Sequence, residues 1–322
     1  ILQSKESSPK KLASHENHHT INSKIDIDEK EGKKLYAEEI KGSISVLRVS
    51  SVKTYFIRYF GKQELFLNGQ AISPNIIKVI RQGSSIKNSK IAPIYYSDII
   101  AQFLSETSDE KIEFTANNIE YEFSSGKKGL YDFTFKEESG RLVGIMGGSG
   151  SGKSTLLNVL NGNYPPSSGE IKINGIGLYE SPKLLEGVIG FVPQDDLLIE
   201  ELSVFENLYY NGKLCFGNYE DDKLVELVNE VLVSIGLFEA KDLKVGNPLS
   251  KTISGGQRKR LNIALELIRE PSILFVDEPT SGLSSNDSEI IMDLLKVLAL
   301  KGKLIFVVIH QPSSEIYKMF DQ

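Results

Sequence analysis

Short apolar runs alternate with helical periodicities from about residue 112 to the end of the chain. Residues 142–146, 188–192, 273–276 and 304–309 are almost continuously apolar, which is typical of strands buried on both faces of a parallel sheet. Residues 203 to about 240 instead carry apolar side chains at helical spacing, which predicts helices with one buried face. Buried strands that alternate with helices predict an α/β domain.

The first third of the chain has a different pattern of apolar and polar residues. Residues 1–42 are polar and charge-mixed, and such a segment buries too little apolar surface to offset its ordering entropy. We therefore expect a disordered linker or tail there. Residues 43–104 contain short β-rich runs, and Asn68-Gly69 between them is a strong hairpin signal. We predict a small β-rich module, followed by a short helix that Ser97 caps.

Two questions remain open in this first third. The β-rich module is either a plain interaction or packing module, which we favour, or a forkhead-associated-like sandwich that binds phosphopeptides. The histidines His15, His18 and His19 form either a metal site or, as we favour, part of a solvated tail. The second interpretation is preferred because no carboxylate or cysteine pattern of fixed geometry accompanies them.

Composition and charge narrow the function classes. The formal net charge of −6 argues against a nucleic-acid-binding surface, and the single cysteine excludes an internal disulfide or a cysteine zinc cluster. The longest apolar runs are strand-sized, well below the ~20 residues of a membrane helix. We expect a segment that does not itself cross a bilayer. We also expect it to be cut from a longer polypeptide, since it opens without a signal pattern and ends shortly after a strand.

The most specific motif follows the first buried strand. Residues 147–155 fit G-x-x-x-x-G-K-[ST], the Walker A phosphate loop, and a helical pattern begins just after them. Glycines let consecutive backbone N–H groups converge on phosphate oxygens, and the helix adds its positive N-terminal end. In that role Lys153 contacts the β- and γ-phosphates, and Ser154 ligates Mg²⁺. The predicted ATP-binding residues of this loop are Gly147, Gly148, Ser149, Gly150, Ser151, Gly152, Lys153, Ser154 and Thr155.

A hairpin precedes this loop. Apolar residues alternate with polar ones up to Phe123, and a second run at 130–135 follows the glycine-flanked turn at 126–129. An exposed aromatic side chain on such a hairpin can stack on an adenine ring. Phe123 is our first candidate for that contact and Tyr121 the second; the alternative is that both belong to the core.

Two later strands end in residues that suit phosphate chemistry. The run at 273–276 is closed by Asp277 and Glu278, the Walker B arrangement. There the first carboxylate holds Mg²⁺ through water, and the second polarises the attacking water. His310 follows the last apolar run, at the strand end where ligands bind in open α/β sheets. We predict Glu278 and His310 as the catalytic residues.

In a further segment, small polar residues and glycines are followed by basic residues at the start of a predicted helix. Ser254, Gly255, Gly256 and Gln257 run into three cations at 258–260, at the beginning of a predicted helix. Cations at a helix N-terminus oppose its macrodipole. Two explanations are open: a solvated basic face, or a helix end that presents Ser254 and backbone N–H groups to an anion.

Residues 112–322 resemble the ATP-binding cassette (ABC) ATPases. The Walker A loop, Gln194 after a strand, the signature at 254–257, the Walker B pair and His310 occur in that family's order. Residues 253–260, 280–283 and 310–313 are similar to the G-type (White-type) transporters, in which one polypeptide carries the cassette and then the membrane domain. The resemblance implies a P-loop NTPase (RecA-like) core with an antiparallel β subdomain and a helical subdomain at about 195–250.

The resemblance also implies a mechanism. Two cassettes would sandwich two ATP molecules head to tail, so that Ser254, Gly255, Gly256 and Gln257 act in trans on the partner's ATP. Within one cassette, Ser154, Gln194 and Asp277 would bind Mg²⁺, and His310 would hold the γ-phosphate and the water. The family's D-loop usually has an aspartate where this chain has Ser284, which puts the coupling between the two sites in question.

We therefore expect an ATPase that powers transport, with export the direction that the family implies. Its partners would be a second cassette and a transmembrane domain of the same full-length chain, at the cytoplasmic face of a membrane. The alternative is a soluble cassette ATPase that acts on chromosomes, DNA damage or ribosomes. Against it, the gap between Walker A and signature is too short for an inserted coiled coil, zinc cysteines are absent from the sequence, and one cassette is visible.

Overall fold

The computed structural model describes residues 18–22, 40, 42–49, 54–101, 111–217, 219–247 and 252–321. The chain divides into two compact units, Ile1–Ser105 (unit 1) and Glu106–Gln322 (unit 2). Most of the polar stretch 1–42, including His15, and most of the predicted connector at 105–111 lie outside the described residues.

The described part of unit 1 contains two antiparallel four-stranded sheets and a short helix. The sheet orders are β1-β2-β3-β6 and β5-β4-β7-β8. Alternation along β2 and β3 buries Ile44, Val46, Ile57 and Tyr59, as expected for strands with one core face. The elements are β1 His18–Asn22, β2 Gly42–Val49, β3 Thr54–Gly61, β4 Phe66–Leu67, β5 Gln70–Ala71, β6 Ile77–Ile80, β7 Ser85–Asn88, β8 Ile91–Tyr95 and α1 Tyr96–Ala101.

Local features of unit 1 both confirm and correct the sequence predictions. Asn68 and Gly69 have φ of 51° and 81° between β4 and β5, which confirms the hairpin turn. The polar pattern predicts a linker at residues 18–22, but these residues form β1, because the edge of β2 offers backbone partners to a segment with little apolar surface. The helix α1 begins before Ser97, and the Asp98 carboxylate accepts a hydrogen bond from the Tyr95 N–H (2.8 Å).

Unit 2 combines an antiparallel sheet, a parallel sheet and helices. The antiparallel sheet has the order β10-β9-β12-β13, and the parallel sheet has the order β11-β16-β15-β14. The strands are β9 Glu113–Glu122, β10 Lys128–Glu138, β11 Leu142–Met146, β12 Ser168–Ile173, β13 Ile176–Gly177, β14 Ile189–Val192, β15 Ile273–Asp277 and β16 Leu304–Ile309. The helices are α2 Lys153–Leu160, α3 Val204–Cys215, α4 Asp221–Ser234, α5 Gly255–Leu267, α6 Ser285–Leu300 and α7 Ser314–Tyr317. The helices predicted between 203 and 240 are thus confirmed as α3 and α4.

One apolar core connects both sheets of unit 2. Helix α2 contacts β10 of the antiparallel sheet and β15 and β16 of the parallel sheet. Phe114 of β9 packs against Phe306 of β16 at 5.3 Å between ring centroids, and Phe275 of β15 stacks on Phe306 at 4.8 Å. Each such aromatic pair adds about 1 kcal/mol beyond its area burial. This core therefore fixes the β9–β10 hairpin relative to the strands that carry the predicted site.

The strand order of the parallel sheet brings the predicted site residues to one edge. β16 pairs with β11 on one side and with β15 on the other, in parallel register. The carboxyl ends of the three strands therefore lie side by side. Among the described residues, no helix is both long enough and apolar enough to span a membrane.

Candidate functional site

The loop at 147–152 curls around the side chain of Lys153. The Lys153 ammonium donates hydrogen bonds to the carbonyl oxygens of Gly147 (2.9 Å) and Gly148 (2.8 Å), while residues 147–151 are exposed. Gly150 and Gly152 have φ of 74° and 89°, which favours glycine. Within the described part of the chain, nothing lies within 4 Å of a β-carbon built on Gly148 or Gly150. The loop is thus an open cradle at the N-terminus of α2, a geometry suited to phosphate.

The acidic pair lies at the carboxyl end of β15, one strand away from that loop across β16. Glu278 has φ of 43°, a left-handed conformation that costs a side-chain residue about 1 kcal/mol. Its N–H donates to the Val308 carbonyl oxygen (3.0 Å), and the Gln194 amide donates to its carboxylate (3.3 Å). His310 directly follows β16, between the two strand ends.

Asp277 has an incomplete hydrogen-bond set. Its Oδ1 is buried and has no hydrogen-bond partner among the described residues. Burial raises the pKa of the Asp277 carboxyl, and the neighbouring Glu278 charge raises it further, while Lys153 and Lys259 oppose the shift. A buried carboxylate oxygen without a donor is unfavourable. Asp277 and Glu278 are therefore suited to binding a cation, and oxygen atoms are the ligands that Mg²⁺ prefers.

The signature residues form the start of α5. Ser254 is the N-cap: its Oγ accepts from the Gln257 N–H (3.1 Å), and the Gln257 side chain accepts from the Ser254 N–H (2.7 Å). A β-carbon on Gly256 would lie 2.5 Å from the Asp287 carboxylate of α6, so close packing requires glycine there. Ser254 itself is exposed, and its hydroxyl proton can point away from the helix end.

The comparisons with known proteins agree with this geometry. Residues 130–281 match the family model described as ABC transporter. Residues 130–281 therefore belong to the ABC transporter family. This region is accordingly an ABC-type ATPase domain, and ATP is its nucleotide.

Individual relatives place this ABC domain near the G family. The chain is 42% identical over 191 residues to ABC transporter G family member 28 of Arabidopsis thaliana, covering 58% of this chain and 17% of the relative. It is 36% identical over 270 residues to the ABC-type transporter claG of Penicillium crustosum, covering 81% of this chain and 35% of the relative. The chain therefore spans about a third or less of the length of these relatives.

A solved structure supports the same ABC fold. The structure of cbiO1 from Clostridium perfringens, described as part of the ABC transporter complex cbiONQ, aligns with a TM-score of 0.58 at 27% identity. The alignment covers 66% of this chain and 83% of that one. This agrees with the predicted α/β fold of unit 2.

The two aromatic candidates for adenine stacking lie on the hairpin beside the phosphate loop. Phe123 is 36% exposed and packs edge-on against Tyr121 (5.1 Å between centroids) and over Gly129. A β-carbon on Gly152 would lie 3.2 Å from the Gly129 carbonyl oxygen, so the hairpin borders the loop. Tyr121 also stacks on Tyr164 at 5.7 Å. Of the two, Phe123 has the more accessible ring, and its stacking role stays a prediction.

The three cations after the signature have partners that the sequence did not reveal. Arg258 is buried and binds both carboxylate oxygens of Asp196 (2.9 and 3.0 Å). Lys259 donates to the Gln194 carbonyl oxygen, and Arg260 donates to the Ile235 carbonyl oxygen (2.9 Å). The interpretation as a solvated basic face is therefore wrong: acceptors on the segments packed against α5 bind these cations. Their spacing along one helix was the available signal, but the acceptors on Asp196, Gln194 and Ile235 lie 25 to 65 residues away in the sequence.

Ser284 has a local role at the start of α6. Its Oγ accepts from the Asp287 N–H (3.1 Å) and donates to the Asp287 carboxylate (2.8 Å). Ser284 is thus the N-cap of α6, a position that serine favours. A cap contact of this kind explains how serine is accommodated where the family usually has aspartate.

Proposed function

We propose that this chain hydrolyses ATP and thereby powers transport through a transmembrane domain outside residues 1–322. The observation that carries the proposal is the strand order β11-β16-β15, which aligns the phosphate loop, His310 and the Asp277–Glu278 pair along one edge. Lys153 and the backbone N–H groups of the loop would bind the β- and γ-phosphates. Glu278 would polarise the attacking water, and His310 would orient it against the γ-phosphate.

Ser154, Asp277 and Gln194 are the residues that would hold Mg²⁺. Ser154 is exposed at the first turn of α2, and the Asp277 carboxylate has the unsatisfied oxygen described above. When bound, the ion would neutralise charge on the phosphate oxygens. The Gln194 amide contacts Glu278, so its orientation would respond to what binds between the two strand ends.

The exposed end of α5 supports a head-to-tail arrangement of two cassettes. Ser254 is the exposed N-cap of α5, and the helix N-terminus that Ser254 to Gln257 form is suited to an anion. We propose that they contact the γ-phosphate bound to a second copy of the domain. Gly255 and Gly256 would let the backbone approach, and the assembly would sit at the cytoplasmic face of a membrane.

Calorimetry with Lys153→Ala tests the ATP site. Because Lys153 is proposed to neutralise phosphate charge, we expect at least a tenfold loss of MgATP affinity, on the order of 1.4 kcal/mol. Lys183→Ala, an exposed lysine outside the loop, is the matched control and should bind as the wild type does. Undiminished affinity of Lys153→Ala would contradict the assignment.

An immunoblot of native cells with an antibody to this segment tests the transport part. We expect a band much longer than 322 residues that resists alkaline extraction from membranes, since the relatives are longer than this chain. A short band that alkaline extraction releases would contradict a membrane domain in the same polypeptide.

A further inference from the structure

One face of α5 holds the chain segment that follows β14. Asn262 is buried, and its amide donates to the Pro193 carbonyl oxygen (3.4 Å) while accepting from the Leu197 N–H (3.2 Å). The Lys259 ammonium donates to the carbonyl oxygen of Gln194, which lies between them. Residues 193–197 are therefore attached to the signature helix at several consecutive points.

Arg258 strengthens this attachment. Its guanidinium binds Asp196 in the bidentate geometry that gives the strongest charge-assisted contacts, and both side chains are largely buried. It also donates to the Gly246 carbonyl oxygen, in the segment that leads toward the signature. The start of α5 and residues 193–197 thus form one connected polar cluster.

The cluster reaches the acidic pair through Gln194. The Gln194 backbone is held by Lys259, and its side-chain amide donates to the Glu278 carboxylate (3.3 Å). Asp195, Asp196, Asp277 and Glu278 all interact electrostatically with the Lys259 ammonium, which is half-buried. A continuous chain of contacts therefore leads from the helix that begins at Ser254 to Glu278.

We propose that Lys259 is a positioning residue that holds Gln194 against Glu278 and so couples the signature helix to the hydrolytic site of the same subunit. This inference rests on the proposed function, in which the start of α5 contacts the partner's nucleotide. Binding of the partner's nucleotide to the start of α5 would then affect Glu278 in the subunit that contains this α5. Such a route is independent of Ser284, whose hydroxyl is engaged in capping α6.

The test is steady-state ATP hydrolysis by the full-length protein carrying Lys259→Met, with MgATP affinity measured by calorimetry. Among the described residues, the Lys259 ammonium donates to the Gln194 carbonyl oxygen and to no residue of the phosphate loop, so we expect affinity and KM to stay within about twofold of wild type. Because Gln194 loses its anchor, we expect kcat to fall by about tenfold or more, as misplaced catalytic groups do. Lys259→Arg retains the charge and the donors, and it should recover at least half of kcat.

Lys303→Met is the matched control. Lys303 is also a partly buried lysine that donates to a backbone carbonyl, that of Pro271, but it precedes β16 at the opposite end of the strand. The Lys303→Met variant should have a lower melting temperature than wild type but an unchanged kcat. If Lys259→Met is poorly folded, Lys259→Gln replaces it in the same comparison.

Three results would overturn the inference. They are a Lys259→Met enzyme with kcat within twofold of wild type, an equal kcat loss in Lys303→Met, and failure of Lys259→Arg to recover activity. Failure of the proposed function is distinguishable, because then the wild type itself would not hydrolyse ATP, or Lys153→Ala would still bind it.

Discussion

Glu266 is a half-buried carboxyl group on α5 that faces β14. It accepts a weak hydrogen bond from the Phe191 N–H (3.4 Å). Burial raises the pKa of the Glu266 carboxyl above its ordinary value, and the Arg269 charge and the Phe191 N–H only partly oppose that shift. A carboxyl group with a raised pKa in the folded state stabilises least when it is ionised, so stability is lost as the pH rises through that folded-state pKa.

Glu266→Gln should therefore stabilise the protein at neutral pH. Glutamine keeps an acceptor for Phe191 and removes the buried charge, so we expect the melting temperature at pH 8 to rise by about 2 °C. The gain should shrink as the pH falls to 5, since protonated Glu266 is also neutral. Thermal denaturation at several pH values measures this, and a gain independent of pH would contradict the explanation.

At the scale of elements, α3 and α5 begin with the same capping box. In α3 the Ser203 Oγ accepts from the Glu206 N–H (3.1 Å) and Glu206 accepts from the Ser203 N–H (2.8 Å), as Ser254 and Gln257 do in α5. The Ser-x-x-Glu pattern at residues 203–206 is the sequence signature of such a box, and the structure contains it. Only the box at Ser254 is proposed to contact a nucleotide. The box at Ser203 is therefore a control for the effect of the cap alone.

Ser203→Ala and Ser254→Ala should have equal effects on stability and different effects on turnover. Each loses a cap bond, at a cost of about 1 kcal/mol of unfolding free energy. Only Ser254→Ala should reduce kcat, because only Ser254 is proposed to contact the partner's γ-phosphate. Chemical denaturation and phosphate release measure the two effects. Equal kcat values for both variants would argue against a role of Ser254 in trans.

Local sequence signals predicted the elements well but not their long-range partners. Sequence pattern alone located three features: the glycines of residues 147–152, the run that ends at Asp277, and the Asn68-Gly69 turn. Each of them depends on interactions within a few residues. The Arg258–Asp196 pair spans 62 residues, and helical spacing says nothing about which distant segment packs on a face. The same limit applies to β1 and to the order in which the parallel strands lie.

At the scale of the whole molecule, the proposed site residues all belong to unit 2, which has its own apolar core. Unit 2 makes up about two thirds of the chain, so the alignment with the Penicillium crustosum relative, which covers 81% of this chain, includes part of unit 1. Part of unit 1 is thus similar in sequence to at least one relative. The function of the β-rich module of unit 1 stays a prediction, with a plain interaction or packing module favoured over a forkhead-associated-like one.

Deletion of residues 1–105 should leave ATP binding intact. Because the core and the phosphate loop lie in unit 2, we expect the shortened chain to bind MgATP within about twofold of the 322-residue chain by calorimetry. Circular dichroism provides the control for folding. A folded deletion variant with more than tenfold weaker affinity would show that unit 1 contributes to the nucleotide site.

The most direct test of the account is phosphate release by the purified full-length protein, wild type against Glu278→Gln, at saturating MgATP. Glutamine preserves the contact with Gln194 but cannot polarise the attacking water as a carboxylate does. We predict that Glu278→Gln binds ATP, accumulates as a closed dimer and hydrolyses at least about a hundredfold more slowly. Turnover equal to wild type would contradict the assignment of Glu278, and with it the proposed hydrolytic site.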